Sequence, residues 1–172
     1  MTNWRNYLSL IIVLAFTGCY PVSVSLRDGS VPLEWKRFTV YTLSNEAANA
    51  PISYPPELSE QIKDAIQNRV GLRLVNDESE DPQVVINGIV KDYSISPIAL
   101  QGDDLAAKNR LTVQAKFEIF INAPTENLME LNVSRFVDFD SNLDVGSNQA
   151  ELLQEISEQI IQDVLNKLLS NW

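Results

Sequence analysis

The sequence predicts an α+β domain, a two-layer sandwich in which two amphipathic helices pack on one face of a mixed, mostly antiparallel sheet. Residues Arg110–Ile121 alternate strictly between polar and apolar side chains, which is the pattern of a half-buried antiparallel strand. Two other segments, Glu57–Val70 and Gln149–Leu169, repeat apolar residues at helical spacing. Because two helices can cover only one face of such a sheet, we expect the other face to stay open.

The N-terminus, residues 1–18, has the pattern of a secretory signal peptide. Arg5 lies in a polar start and is followed by the apolar run Tyr7–Phe16. Ten helical residues cover only about 15 Å, whereas a bilayer core needs about 20 residues, so this run is too short to span a membrane. It ends in Thr17-Gly18-Cys19, and small residues before a lone cysteine resemble the lipobox of bacterial lipoproteins. The alternative is an ordinary signal peptide that is cut elsewhere.

The lipobox resemblance implies that a single mature domain, residues 19–172, begins at Cys19. Cys19 would carry a diacylglycerol on its sulfur and an acyl chain on the new N-terminus. Two acyl chains already give a stable membrane anchor, so three would hold the domain firmly. Tyr20 follows the cysteine where an aspartate would suggest retention at the inner membrane. The sequence therefore predicts export through the secretory pathway and a lipid anchor in the outer membrane.

The strands of the mature chain are predicted from β-formers and period-two alternation. They lie at Pro21–Leu26, Trp35–Leu43, Leu72–Val75, Gln83–Ile95, Arg110–Ile121 and Leu128–Phe139. Gly88, in the middle of the fourth of these segments, suggests a bulge. Prolines and acidic residues predict loops at Asn45–Pro56 and Pro97–Asn109. The last two strands are separated by a short turn and therefore predict a hairpin.

The helices are predicted from apolar stripes. In the first, apolar residues recur every four positions from Leu58 to Val70, and Gly71 is a typical helix stop. The second has a broad stripe that consists of Leu152, Leu153, Ile156, Ile160, Ile161, Val164, Leu165 and Leu168. Its opposite face carries glutamate and amide side chains such as Gln162, so one side of the helix should be buried and the other solvated.

Composition excludes most catalytic and metal-binding classes. The chain of 172 residues has no histidine and one cysteine, so it lacks the residues for a Ser-His-Asp triad, a Cys-His pair, a zinc cluster or an internal disulfide. It has 13 basic and 23 acidic residues, a net charge of −10, and therefore lacks the basic surplus of a nucleic-acid binder. The sequence predicts no enzymatic activity, no cofactor, no metal and no nucleic-acid partner.

A broken calcium-loop pattern precedes the last helix. Oxygen-bearing side chains alternate there, at Asp138, Asp140, Asn142 and Asp144. The pattern of a calcium loop then requires glycine and glutamate where this chain has Leu143 and Gln149. A solvated turn between strand and helix is therefore the prediction.

Basic residues gather on the polar side of the Arg110–Ile121 strand. Arg110 and Lys116 share that side, and Lys108 precedes them. One interpretation is a solvated face on which Glu118 offsets the positive charge. The other is a surface that contacts a partner or a phosphate group. Arg135 lies in phase with an apolar row. It is predicted to be either displaced to the surface by a bulge or buried beside a carboxylate such as Asp138 or Asp140.

Four stretches resemble the LptE family of lipopolysaccharide-assembly lipoproteins. They are Tyr93–Gly102, Ala106–Phe117, Ser134–Ser141 and Ile160–Trp172. The resemblance implies a two-layer sandwich without enzymatic activity that plugs the outer-membrane β-barrel LptD and helps lipopolysaccharide reach the cell surface. Lipopolysaccharide binding, described for the family, would use basic residues on its phosphates.

No individual binding residue is carried over from the family. The candidates Lys108, Arg110 and Lys116 come from the strand pattern alone. Two other functions stay open at this point. One is a stand-alone periplasmic lipoprotein that binds a small or lipidic ligand, and the other is a structural anchor that tethers envelope components.

Overall fold

A computed structural model describes residues 31–76, 78–98 and 107–170. The signal peptide, Cys19 and the strand predicted at Pro21–Leu26 lie outside the described residues. The described part is one mixed, open sheet with two helices on one face, so the predicted fold class is confirmed.

Within the described residues the sheet has six strands, in the order β3-β1-β4-β5-β6, with β2 also paired to β4. The strands are β1 (Arg37–Val40), β2 (Ser44–Asn45), β3 (Arg73–Leu74), β4 (Val84–Ile98), β5 (Lys108–Ile121) and β6 (Asn127–Asp140). β1 runs parallel to β3 and β4, and β2 runs parallel to β4. The three long strands β4, β5 and β6 are antiparallel. β5 and β6 form the predicted hairpin, and β4 pairs with β5 in the same way.

The first helix, α1, spans Tyr54–Ala65 and continues as a π-helical turn over Ile66–Val70. It ends at Gly71, whose φ of 82° lies in the left-handed region that glycine adopts readily. The predicted start at Glu57 was three residues late. Prolines are tolerated in the first helical turn because the N–H groups there have no partner within the helix, so Tyr54-Pro55-Pro56 belongs to the helix rather than to the loop.

The second helix, α2, spans Val145–Leu169 and begins four residues before the predicted Gln149. Its N-cap is Asp144, whose carboxylate accepts hydrogen bonds from the backbone N–H groups of Gly146 and Ser147. The oxygen-bearing residues of the broken calcium pattern thus include a helix cap. This assigns a structural role to Asp144.

The two faces of the sheet differ as the alternation of β5 predicted. The apolar row of β5 is almost completely buried and consists of Leu111, Val113, Ala115, Phe117, Ile119 and Ile121. Both helices pack on this side, α2 mainly against β6 and α1 against β1. We call the opposite side, formed by β4–β6 residues that point away from the helices, the open face. On β5 its row consists of Lys108, Arg110, Thr112, Gln114, Lys116, Glu118 and Phe120.

The segment predicted as one strand, Trp35–Leu43, is interrupted. β1 ends at Val40, and the chain rejoins the edge of β4 only at Ser44. Leu43 between them turns into the core, where its backbone N–H donates to Ser59 Oγ of α1 at 2.9 Å. That helix hydroxyl replaces a strand partner, so the backbone can leave the sheet without an unsatisfied buried N–H.

The loop predicted at Pro97–Asn109 is shorter than expected. Pro97 pairs with Asn109 and Ile98 pairs with Lys108, so both ends of the predicted loop belong to strands. At this end of the β4–β5 hairpin the apolar–polar alternation of the side chains is lost, but the backbones of the two strands remain paired.

Gly88 has a packing role rather than the predicted bulge. The irregularity in β4 lies between Val90 and Asp92. Gly88 faces the helices, and a Cβ built on it would lie 2.8 Å from Phe117 Cδ1 and 2.9 Å from Leu43 Cγ. Both neighbours are core side chains, so the absence of a side chain at this position lets them approach the strand.

Gly88→Ala is therefore expected to lower the free energy of unfolding by about 1–3 kcal/mol, because the new methyl group overpacks a closed core. Denaturant unfolding measures this loss. Gly146→Ala is the matched control, since the nearest atom to its new Cβ is at 3.6 Å and alanine favours the helix. The control should be neutral or stabilising. An equal loss in both variants would contradict the packing role of Gly88.

Candidate functional site

Arg110 forms a bidentate ion pair on the open face. Strand register places Arg110 opposite Asp138, and its Nε and a terminal nitrogen donate to the two carboxylate oxygens at 2.6 and 2.8 Å. The guanidinium also stacks on the Phe136 ring, 3.6 Å from the ring centre. The bidentate geometry and the stacked ring hold the cation in one orientation.

Lys116 stands between two glutamates. Glu118 and Glu130 are direct cross-strand partners, and like charges in that position repel one another. Lys116 Nζ donates to one oxygen of each glutamate at 3.0 Å. These hydrogen bonds, first to Glu118 and then to Glu130, raise the pKa of Lys116. Lys116 thus neutralises a carboxylate pair that would otherwise weaken the β5–β6 hairpin.

Lys108 lies opposite Asp140 at the end of the same hairpin. Arg110 is two residues along the strand and Lys116 is eight, so Arg110 and Lys116 are separated by about 20 Å at the usual strand rise. The structure therefore places all three predicted residues on one face but does not bring them into one cluster. Each has carboxylates opposite or beside it, which makes the face charged yet internally balanced.

Two carboxylates with a lowered pKa make the stability of the fold depend on pH in the acid range. The hydrogen bonds from Arg110 hold the pKa of Asp138 below its usual 3.8, and those from the Ser147 hydroxyl and nearby backbone N–H groups do the same for Asp144. A lowered folded-state pKa stabilises the fold above the unfolded value, and this contribution is lost as the pH falls through the folded value.

Wild-type protein should therefore lose thermal stability as the pH falls below about 4. Asp138→Asn and Asp144→Asn should each flatten this loss, because the amide does not titrate. Melting temperatures recorded from pH 2.5 to 6 measure the effect. If both variants lose stability as steeply as the wild type, these groups do not carry the acid dependence.

A cleft of 330 Å³ opens beside Lys116 on the open face. It is lined by Tyr41, Thr42, Ser44, Asn87, Gly88, Ile89, Lys116 and Glu118. It forms where the chain leaves the sheet between β1 and β2, a departure that sequence reasoning missed. Its volume is at the lower end of the range for small-molecule sites.

Arg135 pairs with a residue that sequence reasoning did not consider. Its guanidinium donates to the two carboxylate oxygens of Asp163 on α2 at 2.6 and 2.5 Å. The expected partners Asp138 and Asp140 point to the opposite face, because residues three or five apart on a strand lie on different sides. The pair ties α2 to β6, the last of the described strands in the sheet order. Asp163 flanks the apolar stripe of α2, a position from which a helix can reach the sheet edge.

The described ranges contain neither a metal-binding cluster nor a helix that could cross a membrane. Within residues 31–76, 78–98 and 107–170, no group of acidic or thiol side chains is arranged to hold a metal ion. Neither of the two described helices has a stretch apolar enough to cross a bilayer.

Comparison with known proteins places the chain in a family. The model of the family "LptE: Lipopolysaccharide-assembly" matches residues 35–168, which cover the six described strands, α1 and all of α2 except its last residue. A search of curated proteins gives no match.

Two solved structures share the fold. A minor lipoprotein from Acinetobacter baumannii is 14% identical, with a TM-score of 0.52 over 80% of this chain and 94% of that chain. A hypothetical protein from Chlamydia trachomatis is 10% identical, with a TM-score of 0.50 over 79% of this chain and 99% of that one. At such identities the likeness concerns the fold alone. Because the family model covers well over half of the sequence, the chain belongs to the LptE family of lipopolysaccharide-assembly proteins.

Proposed function

We propose that this protein is a non-enzymatic, lipid-anchored lipoprotein of the outer membrane that assembles with an LptD-type β-barrel. It sits in the barrel as a plug and supports the transport of lipopolysaccharide to the cell surface. Family membership supports the role in lipopolysaccharide assembly. The observation that carries the choice of a barrel partner is the open face.

The open face has the chemistry of a surface that meets a polar wall. The helices cover the other side of the sheet, and within the described residues no element packs over the β5 row from Arg110 to Glu118. Its charges are already paired in the monomer, at Arg110–Asp138 and around Lys116. A surface with satisfied charges can dock in a hydrated lumen without leaving an isolated ion buried.

Direct binding of lipopolysaccharide would require the same residues to give up their present carboxylate partners. A phosphate would have to displace Asp138 from Arg110, or the glutamates from Lys116, in a protein of net charge −10. Overall attraction to an anionic glycolipid is therefore weak. Contact with the barrel wall requires no exchange of ion-pair partners. We therefore propose that the open face contacts the barrel rather than lipopolysaccharide.

Neutralising the two cations tests this assignment. Arg110→Gln with Lys116→Gln leaves Asp138, Glu118 and Glu130 without their partners and changes no core residue. We expect the amount of barrel recovered with the tagged lipoprotein from mild-detergent extracts to fall at least about fivefold. The thermal melt should shift only a little, since exposed ion pairs add little to stability and solvent screens the repulsion left between Glu118 and Glu130.

The matched control neutralises two exposed cations away from the open face, Lys36→Gln with Arg69→Gln. It removes the same charge and should leave barrel recovery unchanged. An unchanged recovery in the double variant at Arg110 and Lys116, with an unchanged melt, would mean that the open face is only solvated.

A stand-alone ligand-binding lipoprotein is the second candidate, favoured by the cleft beside Lys116. Its aromatic and aliphatic walls, Tyr41 and Ile89, are joined by polar groups such as Asn87. Under this alternative the protein would purify without a barrel and with a bound small molecule. Ile89→Trp, which fills the cleft, would then release the ligand. Under the barrel proposal no such ligand is found.

A further inference from the structure

One end of the sheet carries a leucine at the tip of a fixed turn. The backbone N–H of Trp35 donates to the oxygen of Pro32 at 3.0 Å, which closes a turn with Leu33 at its tip. The Trp35 side chain is buried, and its Nε1 donates to the backbone oxygen of Ala123 at 2.7 Å. These contacts hold the turn in place while the Leu33 side chain stays 85% exposed.

A second exposed leucine lies at the same end of the domain. We call this end the turn end; it is formed by residues 31–36 and by the connection 122–126 between β5 and β6. Leu128 follows that connection on β6 and is 50% exposed, beside its half-buried β5 partner Phe120. Single exposed apolar residues are common on soluble proteins, so their exposure alone does not identify a partner.

The attachment point of the proposed lipid distinguishes the turn end from the rest of the domain. Val31, the first described residue, packs against the core two residues before Leu33. Cys19 precedes Val31 by twelve residues. Twelve residues span at most about 40 Å in any conformation. A lipid on Cys19 therefore joins the domain at the turn end and keeps this end within about 40 Å of the bilayer.

The opposite end of the domain is farther from that attachment point. Strand register sets Arg37, at the start of β1, beside Arg73, which follows α1, so α1 ends at the turn end. From there Tyr54–Val70 extends about 25 Å at the usual helix rise. Ile52, which precedes this helix, is 91% exposed. Ile52 thus matches Leu33 in apolar character and exposure but lies at the far end.

We infer that the turn end lies on the lipid bilayer and inserts Leu33 and Leu128 among the lipid headgroups. A tether raises the effective concentration of this end at the membrane, so a contact that is too weak for a free protein becomes populated. The contact rests on the lipid anchor of the proposed function, and it leaves the β5 row from Arg110 to Glu118 to the barrel. It also sets the orientation of the domain relative to its membrane.

Charged residues at the turn end do not select an anionic surface. Glu34 and Lys36 are both exposed and have opposite charges. Arg37 is paired with Asp81, with 3.6 Å between the guanidinium and the carboxylate. The attraction to the bilayer is therefore apolar, so the contact should form with zwitterionic phosphatidylcholine and needs no anionic lipid.

Quenching by labelled lipids in vesicles tests the contact. Leu33→Cys, Leu128→Cys and Ile52→Cys each place a fluorophore in the full-length lipidated protein, which is reconstituted in phosphatidylcholine vesicles without the barrel. Nitroxide groups on the lipids quench a fluorophore that touches the bilayer. We expect quenching at positions 33 and 128 to exceed quenching at position 52 at least about threefold. Labelled wild-type protein measures any background from Cys19.

Flotation of the vesicles separates a failure of this inference from a failure of the proposed function. Protein that does not float lacks the anchor, which overturns both. Protein that floats but is quenched equally at the three positions overturns the inference alone, because the anchor holds while the turn end does not touch the bilayer. A fluorophore at Leu33 or Leu128 that responds only when the barrel is added would assign these residues to the barrel and would also overturn the inference.

Replacing the two leucines tests whether they hold the contact. A fluorophore at Glu126→Cys, in the exposed connection between β5 and β6, reports how close the turn end is to the lipid. Leu33→Gln with Leu128→Gln should reduce its quenching at least about twofold, whereas the matched control Ile52→Gln should leave it unchanged. The thermal melt should shift little in both variants, since the changes are at the surface. Undiminished quenching in the double variant would contradict the inference.

Discussion

Ile160→Ala is expected to lower the free energy of unfolding by roughly 2–5 kcal/mol. Ile160 lies in the middle of α2 with no exposed surface, so the shortened side chain leaves a cavity that neighbouring core residues cannot fill. Since domains of this size are usually stable by only about 5–15 kcal/mol, the loss is a large part of the total. Denaturant titration of the purified protein measures it.

Gln162→Ala is the matched control on the exposed side of the same helix. Its side chain makes hydrogen bonds with Arg69 and Asn166 only at the surface, so the change should cost about 0.5 kcal/mol or less. Similar losses for Ile160→Ala and Gln162→Ala would mean that α2 does not bury the stripe on which the fold depends.

Cys19→Ala is expected to remove the membrane anchor completely. The prediction rests on the motif Thr17-Gly18-Cys19 and on the absence of another cysteine. Without a thiol no lipid can be attached, and the protein should appear either as a soluble periplasmic form or as an uncleaved precursor. Palmitate labelling followed by separation of membrane and soluble fractions distinguishes these forms.

Thr17→Ser serves as the control for this prediction, because it keeps a small residue before the cysteine. Labelling and membrane association should persist in that variant. Palmitate incorporation that continues in Cys19→Ala would show that the lipid is attached elsewhere and would remove the basis for the lipobox.

The elements predicted most accurately are those in which burial imposes a simple period. The strict alternation of Arg110–Ile121 located β5 to within two residues. All eight residues predicted for the apolar stripe of α2, from Leu152 to Leu168, are buried. Such patterns can be read from the sequence because each apolar side chain must be buried, whichever residues it packs against.

Element ends were predicted less well, because local chemistry decides them. Asp144 extended α2 towards the N-terminus by capping it, and Pro55 and Pro56 lay inside α1 rather than before it. The break in the strand predicted at Trp35–Leu43 depends on Ser59, whose hydroxyl comes from a helix and lies sixteen residues from Leu43 in the sequence. No pattern within the strand itself predicts that hydrogen bond.

The sequence by itself determined the fold class, the separation of a buried and an open sheet face, and the candidate residues Lys108, Arg110 and Lys116 on the open side. Only the tertiary structure decided how those residues are paired. Strand register sets Arg110 against Asp138 and Lys116 between two glutamates, and helix packing brings Asp163 to Arg135. The physical reason is that periodicity reports which side of an element leaves water, whereas ion pairs depend on distances between elements that are remote in the chain.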